Sequence, residues 1–167
     1  MGTKFAVTFN SASSALHAAI VAVGVQPGEE VIVPPTTFTS TATSSLMHNA
    51  IPVFSDVERD TFCLDPAKLD RVISPLSRAI IPVHLFGNAC DMDEIMSFAK
   101  KNNLRVIEDC AQSIGAKVGN DFVGLQGNIG IFSFHATKLM TSGGQGGMIV
   151  SKNINLIQKI REFLDYG

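Results

Sequence analysis

Lys138 stands in a setting where its side-chain amine can do covalent chemistry. It closes the run Ser133-Phe134-His135-Ala136-Thr137-Lys138, which leaves a hydrophobic strand, and a glycine-rich loop at 143–147 follows. Asp109 ends a second hydrophobic run, Val106-Ile107-Glu108-Asp109. A lysine amine condenses with aldehydes, and a carboxylate stabilises a positive charge on a neighbouring group. These two strand ends therefore predict a site for a ligand that carries an aldehyde and a positive charge.

The elements that must position these side chains are predicted by short apolar runs that alternate with helical segments. Strands are expected at residues 5–9, 30–33, 51–54, 79–83, 105–108, 129–134 and 148–151. Helices are expected at about 13–23, 38–48, 91–102 and 153–165. The Asp65-Pro66 pair is typical of a helix start and predicts a short helix that continues to about residue 73.

The order and composition of these elements predict the fold class. The interior strands are continuous Val and Ile runs, as in sheets that helices cover on both faces, and strands that alternate with helices favour parallel pairing. We therefore predict a three-layer α/β/α sandwich around a mostly parallel seven-stranded sheet. The link at 143–147 is too short for a helical crossover, so the last two strands are not expected to be parallel neighbours.

Several polar or aromatic side chains fall near the carboxyl ends of these strands, where open α/β sheets bind their ligands. Taken singly, each has an ordinary structural interpretation. Asp109 can cap a turn, and Lys138 can be a solvated surface lysine. Ser13 can be a helix N-cap, His84 a satisfied semi-buried histidine, and Phe38 a core residue. The sequence alone leaves these alternatives open for each residue.

Together, the same residues match the separate needs of one ligand, pyridoxal phosphate (PLP). A phosphate needs backbone amides at a helix N-terminus and small hydroxyls, and Ala12-Ser13-Ser14 and Ser133 supply them. A pyridine ring needs an aromatic platform, which Phe38 can provide. We therefore predict that these residues bind the cofactor.

The reactive groups of PLP have matching partners as well. The ring nitrogen needs a carboxylate to stay protonated, and Asp109 is placed to supply it. Gln112, three residues later, is placed to reach the ring hydroxyl or the ring face. The aldehyde needs an amine for a Schiff base, which predicts Lys138 as the catalytic residue.

Signatures of other α/β proteins are missing from the sequence. It contains no GxxxxGK[ST] phosphate loop, no GxGxxG after the first strand and no GxSxG nucleophile motif. No cluster of His, Asp and Glu has metal-ligand spacing, so no metal site is predicted. His17 and His48 lie alone within predicted helices, and we interpret both as structural.

Composition limits the partners. The 167 residues suit one domain with a sizeable core, and 46% hydrophobic against 17% charged residues disfavour disorder. The formal net charge of −2, from 13 basic and 15 acidic residues, argues against a nucleic-acid or anionic-membrane partner. The apolar excess suggests that a partner or a further segment covers some of the surface.

The cysteines and the first residues predict the compartment. Cys63, Cys90 and Cys110 are widely spaced without a CxxC pair, which disfavours a disulfide framework or a zinc site and favours a reducing compartment. No run approaches the roughly 18 apolar residues of a membrane span. The start lacks a signal-peptide core and the myristoylation pattern, so we predict a cytoplasmic location.

At these residues the chain resembles the DegT/StrS family of PLP-dependent sugar aminotransferases, which have fold type I. The resemblance extends nearly from end to end. It rests on six motifs in order: Asn10-Ser11-Ala12-Ser13-Ser14-Ala15-Leu16, Gly28-Glu29-Glu30-Val31-Ile32-Val33-Pro34, Pro52-Val53-Phe54, Pro82-Val83-His84-Leu85-Phe86-Gly87, Ile107-Glu108-Asp109-Cys110-Ala111-Gln112 and Ser133-Phe134-His135-Ala136-Thr137-Lys138.

The resemblance implies the same site residues. It implies that Lys138 forms the Schiff base, that Asp109 pairs with the ring nitrogen beside Gln112, and that Phe38 stacks on the ring. It implies phosphate contacts at Ala12, Ser13, Ser14 and Ser133. Related 3-dehydratases of the family carry histidine in place of the lysine, so Lys138 favours transamination.

Two positions depart from the family pattern. The chain has Ser11-Ala12-Ser13 where members often have Ser-Gly-Thr, which keeps the hydroxyl. Gln145 replaces an acidic residue that is common in the glycine loop. This second change is expected to alter loop packing or a substrate contact.

The resemblance also implies a function and a domain organisation. Members transfer an amino group from an amino acid, here expected to be glutamate, to a nucleotide-linked keto-sugar in cell-surface polysaccharide or sugar biosynthesis. We expect residues 1–167 to be the PLP-binding large domain, truncated at both ends and without the C-terminal small domain, and the full-length form to be a homodimer. Two alternatives remain: a non-catalytic truncated or regulatory member of the fold, and another fold type I enzyme such as a lyase acting on sulfur amino acids.

Overall fold

The computed structural model describes residues 2–165, and its centre is a seven-stranded sheet. The strands of the chain are β1 (Phe5–Phe9), β2 (Glu30–Val33), β3 (Ile51–Phe54), β4 (Ser77–Ile80), β5 (Arg105–Asp109), β6 (Lys117–Val118), β7 (Asp121–Phe122), β8 (Ile129–Ser133) and β9 (Gly147–Ser151). The large sheet has the order β1-β9-β8-β5-β4-β2-β3, and β6 and β7 form a separate hairpin.

Pairing within the large sheet is parallel from β3 to β8 and antiparallel at the other edge. Strands β2, β3, β4, β5 and β8 pair in parallel, whereas β9 runs antiparallel to both β8 and β1. The short glycine-rich link therefore joins antiparallel neighbours, as its length requires. The predicted fold class, a mostly parallel seven-stranded α/β sheet, is confirmed.

Helices cover both faces of the sheet. The α-helices are α1 (Ala12–Ala22), α2 (Ser40–Met47), α3 (Met92–Lys101) and α4 (Ile154–Leu164), and 3-10 turns cover Pro66–Arg71 and Leu85–Gly87. Helices α1, α2 and α4 lie on one face, and α3 and the first 3-10 helix lie on the other. None of these helices is long and apolar enough to cross a membrane.

Successive strand residues divide between two buried cores. Val31 and Ile107 pack with α1 and α4, whereas their neighbours Ile32 and Val106 pack with α3. This division follows from the strand geometry, in which adjacent side chains point to opposite faces. Because both faces are buried, the strands carry continuous apolar runs rather than alternating ones.

Some boundaries differ from the sequence prediction, and each difference has a local cause. Strand β4 ends at Ile80 rather than at residue 83, because Pro82 has no N–H for the ladder and pairing resumes only as an isolated bridge at Val83. The segment after Asp65 forms a 3-10 rather than an α-helix. The β6–β7 hairpin was missed, although its Gly119-Asn120 turn is a typical hairpin signal.

Candidate functional site

A cavity of about 350 Å³ opens at the carboxyl ends of β5 and β8. Three of the predicted site residues line it, namely Gln112, Ser133 and Lys138. The lining also includes Phe86, Thr137 and Leu139, none of which was predicted as a site residue. Lys138 is half-buried there, in a turn in which its backbone N–H donates to the carbonyl of His135 at 2.9 Å.

Asp109 ends β5 behind this cavity and is only 4% exposed. Its Oδ1 accepts the backbone N–H of Ala111 at 3.0 Å, and its Oδ2 accepts the Thr41 hydroxyl at 2.9 Å. Burial is the largest influence and raises the pKa of Asp109 above its ordinary value, although these two donors and the Lys138 ammonium oppose it. The ionised carboxylate is therefore short of positive charge in this environment.

The N-terminus of α1 provides an anion-binding surface. Ser11 caps the helix, and its hydroxyl accepts the N–H of Ser14 at 3.2 Å. Within residues 2–165, the N–H groups of Ala12 and Ser13 make no hydrogen bond to the protein. Free amides at the positive end of a helix dipole favour a phosphate or another anion.

Strand β9 brings Ser133 to this helix end. Ser133 pairs with Gly147 in the β8–β9 ladder, and Gly147 lies directly against the first turn of α1. A Cβ on Gly147 would stand 2.5 Å from the Ser11 carbonyl and 2.6 Å from the Ala12 nitrogen. Only glycine permits this approach. The ladder partner of Gly147, Ser133, is thereby brought towards the first turn of α1.

Helix α2 joins the anion-binding surface to the carboxylate. The Ser13 and Ser40 hydroxyls are 2.6 Å apart, and Thr41, the next residue, donates to Asp109. Thr41 was not predicted as a site residue. A usable signal was present, because Thr41, Ser44 and Ser45 lie in a short polar helix that must pack on the sheet. A threonine at a buried helix position needs a specific partner, because an unpaired hydroxyl there is costly.

Phe38 lies outside the core. It precedes α2, which begins at Ser40 rather than at Phe38, and its side chain is 65% exposed. The interpretation of Phe38 as a core residue is therefore wrong, and an aromatic ring near the site is left accessible to a ligand or a partner. Its role as a ring platform stays a prediction.

Next to Asp109, Glu108 is fully buried and almost saturated with donors. Its Oε1 accepts the N–H groups of Gln126 at 2.8 Å and Gly127 at 2.6 Å. Its Oε2 accepts the Gly124 N–H at 2.6 Å and lies 3.0 Å from the Nε2 of His84. Burial favours the neutral acid, but the hydrogen bonds from His84, Gly127 and Gly124 outweigh it and lower the pKa of Glu108.

The alternative of a satisfied histidine is correct for His84, which is fully buried with both ring nitrogens engaged. Within residues 2–165, one group of three or more His, Cys, Asp or Glu side chains has its possible ligand atoms within 4.8 Å of one another. It consists of His84, Glu108 and Cys110. Because the Glu108 oxygens already accept four hydrogen bonds, we assign no metal to this group.

The fold is that of PLP-dependent aminotransferases. The chain belongs to the DegT/DnrJ/EryC1/StrS aminotransferase family, which it matches over residues 1–167. The predicted family is therefore confirmed.

Among curated relatives, the chain is 44% identical over 160 residues to the GDP-perosamine synthase of Caulobacter vibrioides, covering 96% of this chain and 43% of that protein. It is 43% identical over 166 residues to a UDP-N-acetyl-3-dehydro-alpha-D-glucosamine 3-aminotransferase of Acidithiobacillus ferrooxidans, covering 99% of this chain and 45% of that protein. The chain thus spans less than half the length of these relatives.

Solved structures agree with this assignment. The aminotransferase from Psychrobacter cryohalolentis superposes with a TM-score of 0.96 at 41% identity, over 99% of this chain and 42% of that one. NtdA from Bacillus subtilis, solved with bound cofactor PMP, superposes with a TM-score of 0.89 at 32% identity, over 96% of this chain and 36% of that one.

The residues present fit the cofactor of this family. The free amides of Ala12 and Ser13 suit a phosphate, and the buried Asp109 carboxylate suits a protonated ring nitrogen. Lys138 lines the cavity, whereas Asp109 and the first turn of α1 are not part of its lining. The described residues thus include one group suited to the phosphate, one suited to the ring nitrogen and one suited to the aldehyde of PLP.

Proposed function

We propose that residues 1–167 form the cofactor-binding large domain of a PLP-dependent aminotransferase. The enzyme would transfer an amino group from an amino acid, glutamate in our proposal, to a nucleotide-linked keto-sugar for polysaccharide biosynthesis. One observation carries this proposal. The buried Asp109 carboxylate is short of compensating positive charge, and it lies within the electrostatic reach of Lys138, which lines the cavity. The names of the relatives support a nucleotide-linked sugar as the acceptor.

Each residue has one task in this proposal. The Lys138 amine would anchor the cofactor covalently until the amino group of the substrate displaces it. Its freed Nζ would then take a proton from the substrate carbon as general base and deliver it to the second carbon position as general acid. Asp109 holds the proton of the ring nitrogen, with Thr41 orienting its Oδ2. When bound, PLP supplies an electron sink for the carbanion that loss of this proton creates.

The remaining residues hold the cofactor in place. The amides of Ala12 and Ser13 and the hydroxyls of Ser13, Ser14 and Ser133 bind its phosphate. Gln112 contacts the ring or its hydroxyl, and the exposed ring of Phe38 packs on the pyridine face. These assignments follow from the fit of each group to one part of the cofactor.

Spectroscopic titration with PLP tests the proposal. The wild-type chain should develop the visible absorbance that PLP acquires when it attaches to a lysine amine, and Lys138→Ala should not. Lys152→Ala, which removes an exposed lysine elsewhere, serves as the matched control and should behave like the wild type. If Lys138→Ala takes up PLP as the wild type does, the assignment of Lys138 is wrong.

We further propose that the working enzyme is a homodimer in the cytoplasm. Large apolar side chains stand exposed around the cavity, with Phe86 at 76% and Leu139 at 82%, and such a surface is typical of an interface. The three free cysteines suit a reducing compartment. Sedimentation velocity of the chain, with Leu139→Lys as the disrupted variant, measures whether this surface mediates association.

A further inference from the structure

We propose that Glu108 and His84 form a positioning pair that fixes the Asp109 carboxylate and the Phe86 wall of the cavity. This inference rests on the proposed cofactor site, for which Asp109 is the ring-nitrogen partner. Neither Glu108 nor His84 lines the cavity, and both side chains are fully buried. They therefore act through other residues, as positioning residues.

The hydrogen bonds of His84 define its tautomer. The backbone N–H of Cys90 donates to Nδ1 at 3.1 Å, so Nδ1 carries a lone pair rather than a proton. The proton is then on Nε2, which donates to Oε2 of Glu108 at 3.0 Å. The imidazole is neutral in this arrangement, and Glu108 fixes both its orientation and its tautomer.

The backbone of His84 is bonded directly to Asp109. The His84 N–H donates to the Asp109 carbonyl at 3.0 Å, and the Asp109 N–H donates to the carbonyl of Pro82 at 2.9 Å. Glu108 and Asp109 point to opposite faces of β5, as successive strand residues do. Glu108 thus holds the ring of His84, and the backbone N–H of His84 in turn holds Asp109.

The same pair restrains a strained turn. Phe86, two residues after His84, has a φ of +54°, a left-handed conformation that is costly for a bulky side chain. Such a conformation persists only where several surrounding contacts hold the backbone in place. The anchored His84 ring on one side and the Asn88 N–H bonded to the Leu85 carbonyl on the other provide this restraint. Phe86 lines the cavity, so its placement affects a bound ligand.

The loop at 124–127, whose N–H groups donate to Glu108, approaches β5 and β8 closely. A Cβ on Gly127 would lie 2.9 Å from the carbonyl oxygen of Val106 and 3.3 Å from Oε1 of Glu108. A Cβ on Gly124 would lie 2.7 Å from the ring of Phe132. Glycine at both positions lets two backbone amides reach the carboxylate. The loop, β5 and the turn after β4 are consequently joined at one buried carboxylate.

Comparing variants with matched losses of stability tests this role. His84→Gln removes the imidazole bridge but leaves the three amides on Glu108, and Glu108→Gln replaces the acceptor itself. Ile157→Ala, in the core under α4, is the control for a stability loss that does not involve Asp109. The two variants are compared at temperatures equally far below their Tm values. PLP should bind His84→Gln about tenfold more weakly than Ile157→Ala. This is the scale of affinity loss seen when a metal-ligating side chain loses its hydrogen-bond partner. An equal affinity in the two variants would overturn the proposal.

A second measurement does not need the cofactor. The Ala111 N–H donates to Asp109, so its hydrogen-exchange protection should fall further in His84→Gln than in Ile157→Ala. Equal protection in the two variants would contradict the positioning role even if Glu108→Gln fails to fold. If the wild-type chain takes up no PLP, the proposed function fails, whereas this exchange comparison still decides whether His84 fixes Asp109.

Discussion

Glu108 and Asp109 are consecutive residues of one strand, yet their carboxylates lie in opposite environments. Glu108 accepts three backbone N–H groups and the His84 ring, and the pKa of this acid is lowered despite complete burial. Asp109 accepts one N–H and one hydroxyl, and burial raises its pKa. The two side chains face different sides of the sheet, so each is surrounded by its own set of elements.

This difference separates an acid whose hydrogen-bonding needs the protein meets from one whose needs it meets only in part. Glu108 has its hydrogen-bonding capacity filled by the protein, so it stabilises the fold and is closed to a ligand. Asp109 is left short of positive charge, and Ala111, whose N–H donates to it, lines the cavity. A protonated ring nitrogen would supply this positive charge. Without it, the buried ionised carboxylate destabilises the fold.

The largest expected effect is on the structural side of this comparison. Glu108→Ala should lower the free energy of unfolding by about 3–5 kcal/mol, because it leaves several buried donors without an acceptor, at about 1–3 kcal/mol for each. Denaturant unfolding measures the loss. Glu30→Ala is the matched control and should lose about 1 kcal/mol, since within residues 2–165 this strand carboxylate accepts only the hydroxyls of Ser74 and Ser77. Equal losses would erase the distinction between the two carboxylates.

Asp109→Asn should move stability and binding in opposite directions. Removing a buried, under-paired charge should raise the unfolding free energy of the cofactor-free chain by about 1 kcal/mol. Losing a charge-assisted hydrogen bond worth about 1.5–3 kcal/mol should weaken PLP binding about 10- to 100-fold. Thermal unfolding and absorbance titration measure the two effects, and a variant that loses both stability and affinity would contradict this account of Asp109.

The two acids should also give pH dependences of opposite sign in the cofactor-free chain. Between its ordinary pKa and its raised folded pKa, Asp109 makes the folded state bind the extra proton, so stability falls as pH rises. The lowered pKa of Glu108 makes the unfolded state bind the extra proton, so its contribution is lost as pH falls below the ordinary range. Urea midpoints across a pH series should lose the first dependence in Asp109→Asn and keep the second.

The smallest expected effect comes from the donor that Asp109 does have. Thr41→Val removes the hydroxyl at 2.9 Å from Oδ2 and should cost about 1 kcal/mol in PLP binding, roughly a fivefold loss of affinity. Thr43→Val, on the exposed side of the same helix, is the control and should leave PLP binding unchanged. The same loss in both variants would mean that the hydroxyl contact is irrelevant.

Much of this architecture was predictable because its signals are local. Continuous Val and Ile runs mark the buried strands, and Asp91 and Asn153 cap α3 and α4 close to the predicted starts. The strand-end positions of Asp109 and Lys138 were also visible in the sequence, as was the short link that excludes a parallel β8–β9 pair. Each of these inferences uses residues close together in the chain.

The parts that were missed depend on residues far apart in the chain. The donors to Glu108 come from a loop 16 to 19 residues later, and Thr41 is 68 residues from Asp109. Nothing near Glu108 in the sequence distinguishes it from Asp109. The insertion of β9 between β1 and β8 is likewise a property of the whole sheet, which periodicity within one segment does not reveal.

The position of Gly147 sets the time at which a newly made chain can first bring Ser133 and the N-terminus of α1 together. The anion-binding surface needs α1, near the start, and Ser133, and it is completed by Gly147 at the start of the last strand. Because β9 lies between β1 and β8, those strands are not joined until it is inserted. A ribosome-bound chain that has not released β9 thus lacks the assembled anion-binding surface. Assembly of this surface therefore follows synthesis of β9 instead of guiding earlier folding.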